Sequence, residues 1–316
     1  MKGVDIFKNL LKRFGSVLGL IILCISFSIL SPYFLTARNW SMIFQQVSVL
    51  AIIALGELIV ILTAGIDLSV GSLLALSMVV MAKAEVEYGV NPFLALLIGI
   101  LVGLGFGLSN GLLYTKLHLP HPFISTLGMM MIAGGLALVL TKGYPIPGLS
   151  PTVRFLGTGQ LGPIPMPLVC IIVCYLAFHI FLTQTVLGRK IYAIGGNREA
   201  AKLSGINVSR VLILVYCIAG FTFALGGIIL AGRVNSAFPL AGKGYELDAI
   251  AAVIIGGASF FGGKGSVGGT LIGVLIIGVL RNGLNLLNVS PFAQMSIMGA
   301  VIIIAVYVDV LRRRAS

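Results

Sequence analysis

Ten apolar runs of 15 to 23 residues follow one another along the chain, with short polar segments between them. A helix that crosses a bilayer needs roughly 20 consecutive apolar residues. Only 9% of the residues are charged and the mean hydropathy is +1.11, whereas about 25% of residues are charged in typical soluble domains. The sequence therefore predicts an all-α polytopic membrane protein with about ten transmembrane helices. The predicted spans are 16–31, 42–63, 68–84, 92–114, 123–141, 166–183, 211–231, 247–261, 267–286 and 291–309.

The distribution of basic residues predicts how these spans are oriented. With the N-terminus in the cytoplasm, 14 Lys and Arg residues lie on the cytoplasmic side and 7 on the outer side, as the positive-inside rule requires. An even number of spans returns the C-terminus to the cytoplasm, and the first run is expected to remain as a span because no small-residue cleavage site follows it. The net charge of +12 therefore indicates orientation in a membrane and not a nucleic-acid partner.

Two glycine-rich breaks interrupt the predicted spans. "LTAGIDLSVGSLLAL" (62–76) joins the second and third spans, and "GGASFFGGKGSVGGTLIG" (256–273) joins the eighth and ninth. Non-helical backbone at membrane depth is tolerated only where protein or a water-filled cavity surrounds it. Interrupted spans in both halves of a chain are typical of a transport pathway.

Glycine also recurs at every fourth position of the predicted fourth span. Gly99, Gly103, Gly107 and Gly111 fall on one face of a helix, where the backbone of a neighbour can approach closely. This stripe predicts helix packing and not a ligand site.

The longest outer segment, 142–167, contains six of the twelve prolines. Proline lacks an N–H and fixes φ, so this segment is predicted to be an extended, stiff loop without helix. It is either a connection or a landing surface for an extracytoplasmic partner.

No motif of the chain supports catalysis. "GKGSVG" (263–268) matches G-x-G-x-x-G formally, but spans flank it and residues 280–290 contain no acid, so the dinucleotide context is missing. There is no Ser-His-Asp or H-E-x-x-H grouping. We therefore expect no cofactor, no metal ion and no enzymatic activity. If ATP drives transport through this chain, another subunit must hydrolyse it.

Five polar residues are candidates for the translocation pathway. Glu57 in the second span is either a proton carrier or, as we favour, a hydrogen-bonded carboxyl facing the bundle. Asp67 is expected to cap the third helix near Val70 or to contact substrate. Asn282, Asn285 and Asn288 have the donors and acceptors that suit an uncharged polyhydroxylated ligand, although hydrogen bonds between helices would use them equally well.

Charged residues of the outer segments are candidate contacts for an extracytoplasmic partner. Glu246 and Asp248 are predicted at the start of the eighth helix, where the helix dipole favours negative charge. The full candidate set is Arg154, Arg233, Lys243, Glu246 and Asp248.

The stretch "GRKIYAIGGNREAAKLSGINVSR" (188–210) carries five basic residues on the predicted cytoplasmic side. Asn197 can cap a short helix that has Glu199 in its first turn and Gly205 just past its end. The side chains of this helix are small or charged, which suits insertion into a groove on a soluble protein.

Four stretches resemble the permease subunits of monosaccharide ABC importers of the ribose, galactose and arabinose type. That family shares a superfamily with branched-chain amino acid permeases. The stretches are "TVLGRKIYAIGGNREAAKLSGINVSR" (185–210), "ILTAGIDLSVGSLLALS" (61–77), "GYELDAIAAVIIGGASFFGGKGSVGGTLIG" (244–273) and "NGLNLLNVSP" (282–291).

The resemblance implies a single transmembrane permease domain over residues 1–316 in the bacterial cytoplasmic membrane. It implies a second permease subunit, identical or closely related, two cytoplasmic ABC ATPase domains and an extracytoplasmic sugar-binding protein. It also implies that residues 184–210 form a cytoplasmic loop whose short helix transmits ATPase closure to the channel. The matching coupling residues are Asn197, Arg198, Glu199, Ala200, Lys202, Leu203 and Gly205.

Three alternatives stay open on the residues alone. A proton-coupled secondary transporter would use Glu57. An ABC permease could carry another small neutral solute, such as a nucleoside, a polyol or an amino acid. A membrane scaffold would move nothing. The sequence departs from the family pattern at Glu57, where an apolar residue is commoner, and at Arg281, where a small polar residue is commoner.

Overall fold

The apolar runs fold into helices. The computed structural model describes the backbone of residues 2–117 and 119–314, and the side chains of 15–117, 119–307 and 309–310. The terminal basic residues used to orient the chain, Lys2, Lys8, Lys12, Arg13, Arg312, Arg313 and Arg314, lie outside the described side chains.

Thirteen α-helices and one π-helical turn are present in the described residues, joined by short strands and turns. The helices are α1 (Lys2–Leu30), α2 (Ala37–Leu62), α3 (Val70–Ala82), the π-helical turn (Lys83–Glu87), α4 (Pro92–Lys116), α5 (Pro122–Thr141), α6 (Pro151–Thr158), α7 (Met166–Gln184), α8 (Val186–Gly196), α9 (Arg198–Leu203), α10 (Val208–Val234), α11 (Tyr245–Ile255), α12 (Val267–Leu286) and α13 (Pro291–Arg314). The strands are β1 (Ile146–Pro147), β2 (Gln160–Leu161), β3 (Ile164–Pro165) and β4 (Ser236–Ala237).

Six helices of the described chain are long and apolar enough to cross a membrane: α2, α4, α5, α7, α10 and α12. This confirms an all-α, multi-pass membrane architecture. The eighth predicted span, 247–261, is shorter than expected, because α11 ends at Ile255 and Gly257 follows with φ +96°. Its 11 residues rise about 17 Å, short of the roughly 30 Å of the hydrocarbon core.

α2 lies at the centre of the bundle. Every side chain from Val47 to Leu62 is buried, and α2 contacts α7, α10, α11 and α12. A helix that is apolar all round is buried in the protein core on all sides. α2 is thus enclosed by its neighbours and has no face left for lipid over those 16 residues.

Three of the four glycines of the α4 stripe pack against α10. The stripe therefore serves helix packing, as the sequence predicts. A Cβ on Gly103 would collide with the carbonyl oxygen of Gly220, and one on Gly107 with that of Tyr216. Gly111 faces the backbone of Ile213, while Gly99 faces α3. The two backbones approach so closely because α4 carries no side chain at these positions.

Both predicted breaks are non-helical, over 63–69 and 256–266, and they meet at one end of the bundle. The Gly263 N–H donates to the Leu62 carbonyl at 3.0 Å, and the Tyr192 hydroxyl donates to the Gly265 carbonyl at 2.9 Å. Tyr192 belongs to α8, and α9 follows α8 directly in the chain, so we name this end of the bundle the α9 end. α10 starts there and rises about 40 Å to the opposite end.

A third break, which the sequence analysis missed, separates α10 from α11. Residues 238–244 lie against the start of α3, where neither Gly71 nor Gly242 has room for a Cβ because each faces the backbone of the other. The Gly-x-Gly of "AGKGY" (241–245) is the signal that would have indicated it.

The prediction of a helix-free segment over 142–167 is wrong, because α6 forms within it. Pro151 occupies the first helical turn, where its missing N–H is not needed, and the Ser150 side chain caps the helix. Gly157 then packs against the backbone of Gly232 on α10. Two short antiparallel pairs, β1 with β4 and β2 with β3, close the segment.

Candidate functional site

The helix α9 has the boundaries and caps that the sequence predicts. The Asn197 Oδ1 accepts the Ala200 N–H at 2.9 Å. Gly205 has φ +80°, and the N–H groups of Gly205 and Ile206 donate to carbonyls of the last turn at 3.0 and 3.1 Å. This is the Schellman arrangement, which fixes the end of a helix and needs a left-handed residue at the glycine position.

The surface of α9 is polar except at its tip. Ala201 is buried against the bundle, whereas the Leu203 side chain is 88% exposed. A leucine this exposed on a helix of charged and small residues is available to an apolar groove of another protein. The remaining predicted coupling residues, Asn197, Arg198, Glu199, Ala200, Lys202 and Gly205, are also exposed.

Glu57 and Asp67 meet inside the bundle, where both are fully buried. The Asp67 N–H donates to Glu57 Oε1 at 3.3 Å. The Asp67 Oδ1 accepts the Ser69 N–H at 2.8 Å and the Ser69 hydroxyl at 2.5 Å. The expectation that Asp67 caps α3 is wrong, because Ser69 occupies the N-cap position and Asp67 binds Ser69 instead of a helical N–H. Asp67 therefore stabilises the break at 63–69.

The same cluster reaches α4 through Asn110. Its Nδ2 donates to the Ser69 Oγ at 2.9 Å, so the break is tied to a neighbouring helix. The second carboxylate oxygens, Glu57 Oε2 and Asp67 Oδ2, have no hydrogen-bond partner among the described residues. Neither carboxyl group forms an ion pair with a described basic side chain. The Glu57 carboxyl thus lies inside the bundle and accepts one hydrogen bond, and its role in the pathway stays a prediction.

A polar cavity of about 360 Å³ opens at the opposite end, between α2, α10, α11, α12 and α13. It brings Arg233 and Asp248, predicted as docking residues, together with the pathway candidate Asn285. Other polar lining residues are Gln46, Tyr245, Arg281 and Gln294.

Arg281 forms an ion pair in this cavity with Asp248. The Arg281 NH2 group lies 2.7 Å from Asp248 Oδ1 and 2.5 Å from Oδ2, and Asp248 is 5% exposed. Arg233 is also engaged, since its guanidinium donates to the Gln45 carbonyl at 2.8 Å. The sequence analysis missed the pair, although an arginine inside an apolar span requires a partner.

The three asparagines of α12 have separate environments. Asn285 accepts from the Gln294 amide at 2.8 Å beside the cavity. Asn282 is buried and exchanges two hydrogen bonds with Asn39 of α2, at 3.0 and 2.9 Å. Asn288 follows the helix with φ +54° and is exposed. The structure therefore brings only Asn285 of the three to the cavity.

We expect Asn282→Leu to destabilise the protein by about 1–3 kcal/mol, because it leaves the Asn39 amide buried without its partner. Thermal unfolding in detergent measures this. The paired variant Asn39→Leu/Asn282→Leu should recover part of the loss, since both polar groups are then gone. A double variant less stable than the single one would contradict the pairing.

The remaining docking candidates lie at two separate places. Arg154 is exposed on α6. Lys243 and Glu246 line a second cavity, of about 410 Å³, between α3, α5 and the 238–244 break. The Glu246 carboxylate accepts the Gly244 N–H at 3.1 Å, at the start of α11.

Comparison with known proteins gives one family. A family profile described as "Branched-chain amino acid transport system / permease component" matches residues 39–306. No solved structure gives a significant match.

Several curated proteins resemble the chain over most of its length. The ribose import permease protein of Bacillus subtilis (strain 168) is 48% identical over 96% of this chain and 94% of its own. The ribose import permease protein of Escherichia coli (strain K12) is 46% identical over 93% and 92%. The D-allose transport system permease protein of Escherichia coli (strain K12) is 45% identical over 94% and 91%.

Proposed function

Because the chain belongs to the branched-chain amino acid transport system / permease component family, we propose that it is the permease subunit of an ATP-driven ABC importer for a neutral monosaccharide. The observation that carries this is the similarity to ribose and allose permeases over at least 93% of the chain. The chain is a multi-pass protein of the bacterial inner membrane and is not itself an enzyme. ATP is hydrolysed by separate ATPase subunits, and a substrate-binding protein delivers the solute.

The whole chain, 1–316, forms one permease domain with ten spans and both termini in the cytoplasm. Besides the six long helices, α1 and α13 contribute apolar segments at Gly15–Leu30 and Pro291–Tyr307. α3 with its π-helical turn and α11 with its flanking breaks complete the ten. The loop 184–210 is cytoplasmic in this topology, which agrees with the five basic residues of its 188–210 stretch.

Two such permeases, identical or closely related, assemble with two ATPase domains at the α9 end. The support is α9 itself, a capped helix that exposes Leu203 among charged side chains. The sugar-binding protein docks at the opposite end, where Arg154 and Lys243 are exposed. Three other candidates contribute less directly to docking, because each already forms a hydrogen bond within the chain: Arg233, Glu246 and Asp248.

The cavity at the opposite end is the outer part of the sugar pathway. Tyr245 offers an aromatic ring, and the amides of Gln46, Asn285 and Gln294 offer donors and acceptors for hydroxyl groups. Arg281 and Asp248 neutralise each other. Arg233 also lines the cavity and leaves one positive charge there, held by the backbone carbonyls of Gln45 and Gln46, while Glu57 and Asp67 lie outside it. The support for an uncharged sugar is therefore the set of amides with the tyrosine ring, and not the charge of the site.

Reconstitution tests the proposed function. We expect the chain, together with its ATPase and sugar-binding proteins in proteoliposomes, to accumulate labelled ribose, allose or fructose only when ATP is present on the ATPase side. Nucleosides, polyols and amino acids serve as competitors, and strong uptake of one of them would change the substrate class.

The two alternative functions, a proton-coupled transporter and a scaffold, give different outcomes in the same vesicles. Uptake driven by a pH gradient without ATPase subunits, and lost in Glu57→Gln, would establish a proton-coupled transporter. A complete complex whose ATPase activity does not respond to any sugar-loaded binding protein would indicate a scaffold.

A further inference from the structure

One exposed residue of α9, Arg198, directs its guanidinium back to the bundle. The Arg198 guanidinium donates to the Tyr114 hydroxyl of α4 at 2.5 Å, and its central carbon lies 5.5 Å from the centre of the Tyr114 ring. A charge-assisted hydrogen bond of this kind is short and directional, and the ring adds a cation–π attraction. Arg198 therefore joins α9 to α4 at a defined position.

The contact continues inward through a second tyrosine. The rings of Tyr114 and Tyr216 pack edge to face, with centroids 6.4 Å apart and planes at 72°. Tyr216, on α10, is fully buried, and its hydroxyl has no hydrogen-bond partner among the described residues. Arg198, Tyr114 and Tyr216 thus form a continuous row, which we name the tyrosine row.

The tyrosine row ends at the break between α2 and α3. A Cβ on Gly65 would lie only 2.9 Å from the Tyr216 hydroxyl oxygen, so Tyr216 rests against the backbone of the break. The break also contains Asp67 and Ser69, which are held by Glu57 and Asn110. Its position therefore depends on contacts with α2, α4 and α10.

α4 carries both contacts on one face. Asn110, which binds Ser69, and Tyr114, which binds Arg198, are four residues apart and so lie one helical turn from each other. A displacement of Tyr114 along or about the α4 axis moves Asn110 with it, because the helix between them is rigid. From Tyr114, two routes therefore lead to the 63–69 break. One runs along α4 to Asn110, and the other runs through Tyr216 of α10.

We propose that the tyrosine row transmits the movement of α9 to the 63–69 break, so that Arg198 and Tyr114 are positioning residues for coupling and not contacts with the ATPase. This rests on the proposed function, in which the ATPase binds α9. Under this proposal, Leu203 is the residue of α9 that contacts the ATPase, and Arg198 is the residue of α9 that contacts the bundle. The densely packed interior supports transmission, because buried aromatic side chains move as units and not by gradual deformation.

The test measures sugar imported per ATP hydrolysed by the full complex in proteoliposomes, with labelled ribose as the probe. Tyr114→Phe removes one hydroxyl and keeps the ring contact with Tyr216. Arg198→Gln alters an exposed side chain and leaves the buried core unchanged. Tyr175→Phe is the matched control, because its hydroxyl is also buried and donates to the Ala51 carbonyl at 3.1 Å, far from α9.

We expect Tyr114→Phe and Arg198→Gln each to lower the import per ATP about tenfold, the size expected for loss of one hydrogen bond to a charged group. The double variant should be no worse than Arg198→Gln alone, since Arg198→Gln already removes both the hydrogen bond and the ring contact, whereas Tyr114→Phe removes only the hydrogen bond. ATPase binding and thermal stability should stay at the wild-type level, and Tyr175→Phe should couple normally.

Normal coupling in Arg198→Gln and Tyr114→Phe would overturn the proposal, as would strictly additive losses in the double variant. A loss of ATPase binding in Arg198→Gln would also overturn it, because Arg198 would then be an ATPase contact. Failure of the proposed function is distinguishable, since the wild-type complex itself would then import no ribose with ATP.

Discussion

Leu203→Gln should reduce ATP-driven sugar uptake about a hundredfold while the permease still folds and inserts. Leu203 is the exposed apolar tip of α9. Burying a leucine at an interface contributes about 1.5–3 kcal/mol, and an amide buried there without a partner costs about 1–3 kcal/mol more. A total near 3 kcal/mol corresponds to a hundredfold weaker ATPase contact. Uptake in proteoliposomes and co-purification of the ATPase subunit measure the effect.

The control is Leu203→Met, which keeps an apolar side chain of similar volume and should retain most of the activity. Glutamine forms helices about as well as methionine, so both variants preserve α9. Wild-type uptake by Leu203→Gln, with the ATPase still bound, would show that the tip of α9 is not the contact.

Gly103→Leu should prevent the permease from reaching its folded state. The first added carbon already collides with the Gly220 carbonyl and lies 2.5 Å from the Ala224 Cβ on α10. Overpacking costs about 1–3 kcal/mol where neighbouring side chains can move aside, but here part of the obstacle is backbone. The two helices would have to separate along their whole crossing. Size-exclusion chromatography in detergent should show aggregated protein and little monodisperse permease.

Gly105 provides a matched control on the same helix. It is exposed, and nothing lies within 4 Å of the Cβ that a substitution would add. Gly105→Leu should therefore fold as well as the wild type or better, since leucine favours a helix over glycine by about 0.8–1 kcal/mol. Equal behaviour of the two variants would contradict the packing of α4 on α10.

The features that follow from local chemistry were predictable from the sequence. Spacing of four places glycines on one helical face, and the Asn197 and Gly205 signals define both ends of α9. Two of the three glycine-containing breaks, 63–69 and 256–266, were likewise indicated by composition. Each of these features depends on a few neighbouring residues, so tertiary packing did not alter it.

Features that depend on distant contacts were not predictable in this way. Asp248 and Arg281 are 33 residues apart, and nothing local indicates their pairing. The three asparagines of α12 share a spacing, yet Asn282 contacts Asn39 whereas Asn285 lines the cavity. α6 was missed for a different, local reason: Ser150 caps the helix and Pro151 falls in its first turn, where proline is tolerated.

The enclosure of α2 has a mechanical consequence. Its 26 residues make a rod of about 39 Å, which reaches the polar cavity at Gln46 and the α9 end at Leu62. Because α2 is enclosed from Val47 to its last residue, Leu62, it can move only if the helices around it move with it. A change at the polar cavity therefore reaches the α9 end as a displacement of the whole helix, unless α2 bends at the expense of its own backbone hydrogen bonds.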